Sequence, residues 1–485
     1  MIRKSILILL GILLLGFTLR AYRVAQLPLY GDELTMVYDS YSLLKTGKDQ
    51  TGASFPLTFK MGAGRPAGYV YFSIPFVAVF GPGAWGVRGL SVLSGLGIIV
   101  LMYFLGKKLF NEKIALIGSF LTSISMWDIY LSRGGFEAHF ALFLALLGIT
   151  LFLYKKYLSM SIAWGLAIST YPTFKLTLPL MFLALLWFGG IKDTLKSKLF
   201  VVSILILAFF AGLAINETLK GISEERFLRL NIFSDSSLQQ TIIQKINEER
   251  NLSSLPDVLK PVFYNKPLEY SRILLGNYME NISVNFLYLR GDRNPRHNPG
   301  EWGMLYLIEF PLLFIGLYHL GKNEKKKLIL FISWILIVPV ATMFLGQTHA
   351  LRNDFMIPPL ILISAYALSN LPKVFARLSL AIMLIQLVFI LAAVYFLAPV
   401  KFANFWSTSA KAVSQKAIEN RDKYKTIVLS TKIDNIEYAY PVYAKLNPNL
   451  VIAQYGKYPK IYDNVIITDN VKSIGTDKST LIYEK

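Results

Sequence analysis

Two adjacent carboxylates stand out in a chain that is otherwise apolar and basic. Asp32 and Glu33 lie in the stretch QLPLYGDELTMVYDS, a dozen residues after the apolar run near the start of the sequence. A carboxylate can take the proton of a hydroxyl group and so make it a better nucleophile. The pair therefore predicts acid–base chemistry, although one acid could instead cap a helix that starts near Leu34.

Three other polar stretches could contribute to the same site. WDIYLSRGGFEAHF follows the third apolar run, YLRGDRNPRHNPGEWG precedes the eighth, and GQTHALRND lies between the ninth and tenth. Together with two earlier arginines, they supply the acids, arginines and histidines Arg65, Arg88, Asp128, Arg133, Glu137, His139, Arg290, Asp292, Arg293, Arg296, His297, His349, Arg352 and Asp354. Guanidinium groups can bind a phosphate and carboxylates can accept a proton. Taken singly, each could also be a solvated cap or a membrane anchor.

The elements that carry these residues are apolar. Hydrophobic residues make up 54% of the 485 positions and charged residues only 16%, against roughly 25% charged residues in a soluble domain. Nearly uncharged runs recur, each close to the roughly 20 residues that cross a bilayer as a helix. About eleven candidate spans result, at 5–20, 86–106, 114–130, 136–154, 158–171, 174–190, 199–216, 303–320, 328–346, 354–371 and 378–397. The predicted fold class is an α-helical polytopic membrane protein.

The basic residues give the expected topology. The formal net charge is +20, but Lys and Arg lie mainly in short clusters between apolar runs, which argues against a nucleic-acid-binding domain. Placing clusters such as KNEKKK at 322–327 in the cytoplasm puts the N-terminus there too. The chain has no cysteine, which excludes disulfides, thiol catalysis and cysteine metal sites. No signal-peptide cleavage pattern follows the first run, so Ile6 to Leu19 is expected to be a retained span.

This topology leaves three large segments on the outer face. They are the first polar segment (residues 21–85), the loop 217–302 and the C-terminal segment (residues 398–485). RPAGYVYFSIPFVAVFG in the first of these predicts a helix at the membrane interface. The runs KTIVLST, DNVIIT and STLIYE, with a helical stretch before them, predict a small α/β module in the last. Residues 1–397 would then form a transmembrane catalytic domain and 398–485 a small soluble domain.

Five motifs in a fixed order resemble one superfamily. They read YGDE at 30–33, RPAGYVYF at 65–72, WGVRGLSVL at 85–93, SRGGFEAHF at 132–140 and HALRNDFMIPPL at 349–360. Their order and common side of the membrane resemble the GT-C glycosyltransferases, within these the branch of protein O-mannosyltransferases and lipid A aminoarabinose transferases. The resemblance covers most of residues 1–400.

The resemblance implies the reaction and the roles. A sugar would pass from a polyprenyl-phosphate carrier to an acceptor hydroxyl, with Asp32 as general base, Glu33 as its helper and Glu137 framing the acceptor or the carrier phosphate. The residues implied or expected to bind the phosphate are Arg65, Arg88, Arg133 and Arg352. Contacts to donor or acceptor are expected from His139, Arg293, Arg296, His297 and His349. The chain departs from the pattern at Arg65, where relatives often have His-Pro, and at Glu137, where Asp is common.

Chemistry adds the stereochemical outcome and the partners. Attack opposite the leaving phosphate predicts inversion at the anomeric carbon. The protein is expected to lie in the plasma membrane. No cofactor is expected, although the acids and histidines leave a divalent cation possible. The expected partners are the polyprenyl-phosphate sugar, a glycan, lipid or protein acceptor, and membrane lipid.

Three other functions compete with this one. A transporter or flippase should show two related halves and polar groups at mid-membrane, which the sequence lacks. A membrane anchor for the C-terminal segment would need only one or two spans. A polymerase or ligase of lipid-linked glycans stays open as a related enzyme.

Overall fold

The computed structural model describes residues 2–221, 231–471, 474 and 479–484, and most of them are helical. The described helices, in chain order, are α1 (Ile2–Ala21), α2 (Gly31–Thr46), α3 (Gly68–Phe80), α4 (Ala84–Leu109), α5 (Glu112–Ile124), α6 (Met126–Ser132), α7 (Glu137–Leu153), α8 (Tyr157–Ile168), α9 (Phe174–Gly189), α10 (Ile191–Leu195), α11 (Lys198–Leu219), α12 (Ser236–Leu252), α13 (Lys260–Phe263), α14 (Lys266–Glu280), α15 (Glu309–Asn323), α16 (Lys325–Thr342), α17 (Ala350–Asn353), α18 (Ile357–Asn370), α19 (Lys373–Ala392), α20 (Ala398–Lys401), α21 (Thr408–Glu419), α22 (Ile436–Tyr443) and α23 (Pro448–Ala453). The strands are β1 (Thr58–Phe59), β2 (Arg65–Pro66), β3 (Thr426–Ser430), β4 (Lys460–Tyr462), β5 (Val465–Thr468) and β6 (Thr480–Tyr483).

Every predicted span overlaps an apolar helix at the same place in the chain. Within the described residues, 5 helices are long and apolar enough to cross a membrane, or 6 if one bent pair counts as a span. Four further apolar helices, α3, α7, α8 and α9, are shorter. The fold is therefore that of a helical membrane protein, and helix length alone supports fewer crossings than eleven.

The third predicted span differs in detail, because it is not one helix. It is broken at Ser125 into α5 and α6, which are bent by 56°. The Ser125 side chain accepts from the N–H of Asp128 and caps α6. Two carbonyl groups near the break, those of Thr122 and Ser123, accept hydrogen bonds from Arg20 at 3.0 and 2.9 Å. Polar side chains thus replace the backbone bonds that the bend removes.

The C-terminal segment contains a four-stranded sheet in the order β4-β5-β3-β6. The central strand β3 runs parallel to β5 and to β6, whereas β4 is antiparallel to β5. Strands β3, β5 and β6 coincide with the three runs singled out in the sequence. Strand β4 is only three residues long, and its sequence KIY carries too little pattern to be recognised.

This segment packs directly on the first polar segment. The hydroxyl of Tyr443 accepts from the N–H of Leu29 at 3.3 Å, and Tyr38 donates to the carbonyl of Leu446 at 3.0 Å. Trp406 packs edge-on against Tyr30, with ring centroids 5.5 Å apart. The contacts place α22 and the neighbouring loops of the C-terminal segment beside α2, which carries the acidic pair.

Candidate active site

The acidic pair lies in the first turn of α2. The helix begins at Gly31, three residues earlier than the cap hypothesis assumed, and it ends at Thr46, before Gly47, which adopts a left-handed conformation with φ +70°. Asp32 points outward, with 49% of its side chain exposed. Its Oδ1 accepts from Arg65 Nη2 at 2.8 Å. Asp32 therefore combines an accessible carboxylate with a fixed cationic neighbour.

Arg65 is fully buried and connects two acids. Besides Asp32, its Nε lies 3.4 Å from Glu137 Oε1, and its Nη1 donates to Thr35 Oγ1 at 3.0 Å. The short β1–β2 hairpin brings it there through a turn at Gly62, whose φ is +85°. A Cβ at that glycine would lie only 2.7 Å from the Arg65 guanidinium. Arg65, expected from the sequence to bind the phosphate, and Glu137, expected to frame the acceptor or the phosphate, thus lie together beside Asp32.

Glu33 points the opposite way, into the core, and is fully buried. It accepts two hydrogen bonds from Arg88, at 2.7 and 2.6 Å, and one from the Gly135 N–H at 2.7 Å. The N–H of Tyr30 donates to it at 3.4 Å, so Glu33 also caps the N-terminus of α2. The helix-capping alternative thus describes Glu33, and the expectation that it assists Asp32 in the cleft is not supported.

Arg88 is equally enclosed. Besides the two bonds to Glu33, its guanidinium donates to the backbone carbonyls of Val24, Leu27 and Pro28 at 2.6 to 2.9 Å. A guanidinium has five N–H groups, and all five are used within the chain. Phosphate binding by Arg88 is therefore not supported by the geometry; the residue fixes Glu33 and the start of the first polar segment instead.

Asp128 and His139 form a second internal cluster. Asp128 is ion-paired with Arg20, and both are fully buried. His139 Nε2 lies 3.6 Å from Asp128 Oδ1 and 3.0 Å from the hydroxyl of Ser132. These contacts hold α1, α6 and α7 together, so His139 is not positioned to contact a substrate. The sequence reasoning missed Arg20, whose position inside the end of an apolar run was the available signal.

Asp32 opens onto a cleft of about 350 Å³, which we call the Asp32 cleft. Its walls come from the first polar segment, the loop before α15 and the C-terminal segment. The lining residues are Tyr30, Gly31, Asp32, Thr35, Gly62, Arg296, Asp434, Asn435 and Tyr438. Sequence reasoning identified Arg296 but not the three residues of the C-terminal segment, because 400 residues of chain separate them from Asp32.

A second cavity adjoins this cleft, and three arginines line it. We call it the arginine cavity; it measures about 20 Å³, and its cations are Arg23, Arg133 and Arg296. Arg296 lines both spaces and stacks on the ring of Tyr30, with 4.9 Å between the guanidinium carbon and the centroid. Burial lowers the pKa of Arg133 to about 10, which leaves it protonated at neutral pH. The cavity is therefore positively charged, but it has room for only about one water molecule.

The four arginines expected to bind phosphate are thus not in one place. Arg65 contacts the acids, Arg88 is internal, and only Arg133 faces the arginine cavity. Arg352 lines a third space, of about 630 Å³, whose other walls include His349 and Asn277. Arg293, expected to contact a substrate, is exposed.

Two of the predicted contact histidines belong to a separate group. One ligand atom from each of Asp292, His297 and His349 lies within 4.8 Å of the other two. His297 Nδ1 lies 3.0 Å from Asp292 Oδ2, which also accepts from the N–H of Ala350 at 2.7 Å. Burial alone would raise the pKa of Asp292, but the hydrogen bond and charge of His297 lower it to about 2. A carboxylate and two imidazoles suit a divalent cation such as zinc, so these residues could hold one.

Comparison by sequence identifies one family segment. Residues 65–215 match the family described as dolichyl-phosphate-mannose-protein mannosyltransferase. The matched region contains Arg65, Arg88 and Glu137, three of the residues singled out in the motifs. No curated protein matches the chain by sequence.

Comparison by structure covers most of the chain. ArnT from Cupriavidus metallidurans bound to undecaprenyl phosphate aligns with a TM-score of 0.55 and 13% identity, over 91% of this chain and 84% of that one. The Archaeoglobus fulgidus oligosaccharyltransferase in its apo form aligns with a TM-score of 0.51 and 13% identity, over 90% and 64%.

The same oligosaccharyltransferase tethered to an acceptor peptide aligns with a TM-score of 0.50 and 12% identity, over 90% of this chain. The chain spans only 63% of that relative's length. These matches confirm the resemblance predicted from the motifs. The chain has the fold of the GT-C membrane glycosyltransferases, and its residues 65–215 match the dolichyl-phosphate-mannose-protein mannosyltransferase family.

Proposed function

We propose that this protein is a membrane glycosyltransferase that moves a sugar from a polyprenyl-phosphate donor to an acceptor hydroxyl group. The fold and the family segment support the class of enzyme. The structural relatives are solved with undecaprenyl phosphate in one case and with an acceptor peptide in another. A donor anchored by its isoprenoid cannot leave the bilayer, so the catalytic residues must lie at the headgroup level.

The observation that carries the proposal is the exposure of Asp32. Of the three predicted catalytic acids, Glu33 is fully buried and the side chain of Glu137 is 8% exposed, whereas that of Asp32 is 49% exposed. Asp32 alone among them can reach a substrate proton in the Asp32 cleft. Arg65 contacts both Asp32 and Glu137 and so fixes the position of the Asp32 carboxylate.

The reaction follows from this arrangement. Asp32 takes the proton of the acceptor hydroxyl as the acceptor oxygen forms a bond to the anomeric carbon of the sugar. The bond between that carbon and the phosphate oxygen breaks, and polyprenyl phosphate leaves with the electron pair. Attack from the face opposite the phosphate inverts the anomeric configuration. The proton on Asp32 is then lost to water, because the side chain is open to solvent.

The leaving phosphate would bind at the edge of the arginine cavity, since the cavity itself, at about 20 Å³, is too small to enclose it. Arg23, Arg133 and Arg296 supply positive charge next to the Asp32 cleft, and the charge that develops on the phosphate is stabilised by such fixed cations. Arg23 lies at the end of α1, over the ring of Phe396 at 5.2 Å. Aromatic rings and arginines at a helix end suit the membrane interface.

Topology completes the proposal. Residues 1–397 would form the catalytic membrane domain, with about eleven crossings of which several are short or bent, and the N-terminus would be cytoplasmic. The C-terminal segment and the Asp32 cleft would then face the outside of the plasma membrane. A divalent cation at Asp292, His297 and His349 would brace the loop beside the arginine cavity, and no step of the reaction requires it.

A donor screen tests the proposed function. The purified full-length protein in nanodiscs is mixed with polyprenyl-phosphate sugars carrying different labelled hexoses and pentoses, and with glycan, lipid and peptide acceptors. We expect one donor to yield a glycosylated acceptor of inverted configuration, and the Asp32→Asn variant to yield none above background. Absence of transfer from every donor, or retention of configuration, would overturn the proposal.

A further inference from the structure

The C-terminal segment forms one whole wall of the Asp32 cleft. Asp434 and Asn435 immediately precede α22, Tyr438 lies in its first turn, and all three line the same cleft as Asp32. The other lining residues come from the first polar segment, apart from Arg296. Tyr438 also packs against the hydrophobic core, whereas the Asp434 side chain is exposed.

The wall is held in place by a tight contact with α2. Asn435 has a left-handed backbone conformation, with φ +60°. Its Oδ1 lies so close to Gly31 that a Cβ there would be 2.7 Å away. Its Nδ2 donates to Ser407 Oγ at 2.9 Å and to Asp434 Oδ2 at 2.7 Å. The wall therefore packs directly against Gly31, the first residue of the helix that carries Asp32.

The chemical character of the wall indicates its ligand. The side chain of Asp434 is exposed and accepts only the bond from Asn435 in the described structure. The Tyr438 hydroxyl has no hydrogen-bond partner among the described residues, and its ring is half-buried beside the cleft. A carboxylate and a phenol can bind neighbouring hydroxyl groups, and an aromatic face can pack on C–H groups of a sugar ring.

The number of polar groups that line the cleft favours a sugar over a hydroxyl-bearing peptide. A serine or threonine side chain offers one hydroxyl group, which Asp32 itself would engage. Asp434 and Tyr438 would then have no hydroxyl group of that side chain to bind and would stay solvated. A sugar ring offers several hydroxyl groups at once, so one can face Asp32 while others face Asp434 and Tyr438.

We propose that Asp434 and Tyr438 select the acceptor, and that the acceptor is a glycan. This inference rests on the proposed function, whose acceptor class it names. One hydroxyl group of the acceptor sugar lies against Asp32, a second hydroxyl group is bound by Asp434, and the ring packs on Tyr438. Asn435 is a positioning residue that orients Asp434.

The test uses full-length protein in nanodiscs and two probes, a panel of methyl glycosides and a serine/threonine-rich peptide. The variants are Asp434→Asn, Tyr438→Ala and Tyr438→Phe. Glu437→Gln is the matched control, because it removes a carboxylate from the same helix outside the cleft. Thermal unfolding midpoints are measured first, to verify that each variant folds.

We expect Asp434→Asn and Tyr438→Ala to raise the KM for the best methyl glycoside at least about tenfold, the loss expected for a hydrogen bond to a charged group. The donor KM and kcat should change by less than about twofold, since neither residue contacts the donor in this proposal. Tyr438→Phe should have a smaller effect than Tyr438→Ala, because it keeps the ring. Glu437→Gln should match the original protein.

Two results would overturn the inference. One is an unchanged glycoside KM in both Asp434→Asn and Tyr438→Ala; the other is transfer to the peptide with a peptide KM that the same variants raise. A binding measurement makes the test independent of turnover. Saturation-transfer NMR of the methyl glycosides should show a signal that is lost in Asp434→Asn and Tyr438→Ala and retained in Glu437→Gln. If no donor supports transfer but this binding pattern holds, the proposed reaction fails and the sugar site stands.

Discussion

Two ion pairs that involve α2 each join one acid to one arginine, but they differ in exposure. Asp32 pairs with Arg65 in an open cleft, whereas Glu33 pairs with Arg88 in the closed core. Successive residues on a helix point about 100° apart, so neighbours in sequence can face solvent and core. In the open cluster the carboxylate keeps an exposed side; in the closed cluster every N–H of the cation is used. Exposure, rather than residue type, separates the catalytic candidate from the structural pair.

The largest expected effect is on the open side. Asp32→Asn removes the proton acceptor, and general-base catalysis contributes about 10²- to 10⁴-fold, so kcat should fall by that amount. Polyprenyl-phosphate binding, measured by native mass spectrometry, should stay within about twofold because the cations of the arginine cavity are intact. Glu33→Gln is the matched comparison and should lower stability instead. Comparable kcat values for the original protein and Asp32→Asn would end the distinction between the clusters.

The closed side should respond in stability. Arg88→Ala leaves the Glu33 carboxylate buried without its cation, a change that costs about 3–5 kcal/mol in comparable pairs. Arg88→Lys should recover only part of this, because an ammonium group cannot form the two parallel bonds to Glu33. The measurement is the unfolding midpoint in detergent, with the exposed Arg293→Ala as control. An unchanged midpoint together with a raised donor KM would instead assign Arg88 to phosphate binding.

The arginine cavity allows a third, smaller test. Arg133→Ala and Arg23→Ala should each weaken undecaprenyl-phosphate binding by about tenfold, since a charge-assisted bond contributes about 1.5–3 kcal/mol. The effect should shrink at high salt for Arg23, which is the more exposed of the two. Arg352→Ala, in a different cavity, directly tests the sequence-based expectation that Arg352 binds the phosphate. Weaker binding in Arg352→Ala alone would move the phosphate site there.

The smallest effect concerns a third acid of the same helix. Asp39 is fully buried, and burial raises its pKa to about 7, opposed by the hydrogen bond from the Gln50 N–H. The folded protein therefore holds this proton at pH values where the unfolded chain has lost it, so stability should fall as pH rises from about 4 to about 7. Asp39→Asn should flatten this slope by a few degrees in the unfolding midpoint. Parallel pH profiles for the two proteins would contradict the shift.

Much of the fold was predictable from local pattern. Apolar run length predicted where the long apolar helices lie, and the β-type runs predicted three of the four strands in the C-terminal segment. The break at Ser125 was not predictable, because hydropathy continues through it and only the distant Arg20 makes the bend acceptable. Strand β4 was missed because three residues give no period.

The site was predictable in part, for a physical reason. The motif order identified Asp32, Arg65 and Glu137, which lie together, but it also grouped Arg88, Arg133 and Arg352, which do not. Guanidinium groups look alike in sequence whether they are saturated by backbone carbonyls or left facing a cavity.

The sequence by itself determined a helical membrane protein with an acidic pair beside its first span, since hydropathy and charge are local properties. Only the tertiary structure decided which acid of the pair is accessible, because a helix turns adjacent side chains toward different surroundings. It also decided that Asp434 and Tyr438 line the same cleft as Asp32. The cleft brings together residues about 400 positions apart, and no local pattern carries information over such a separation.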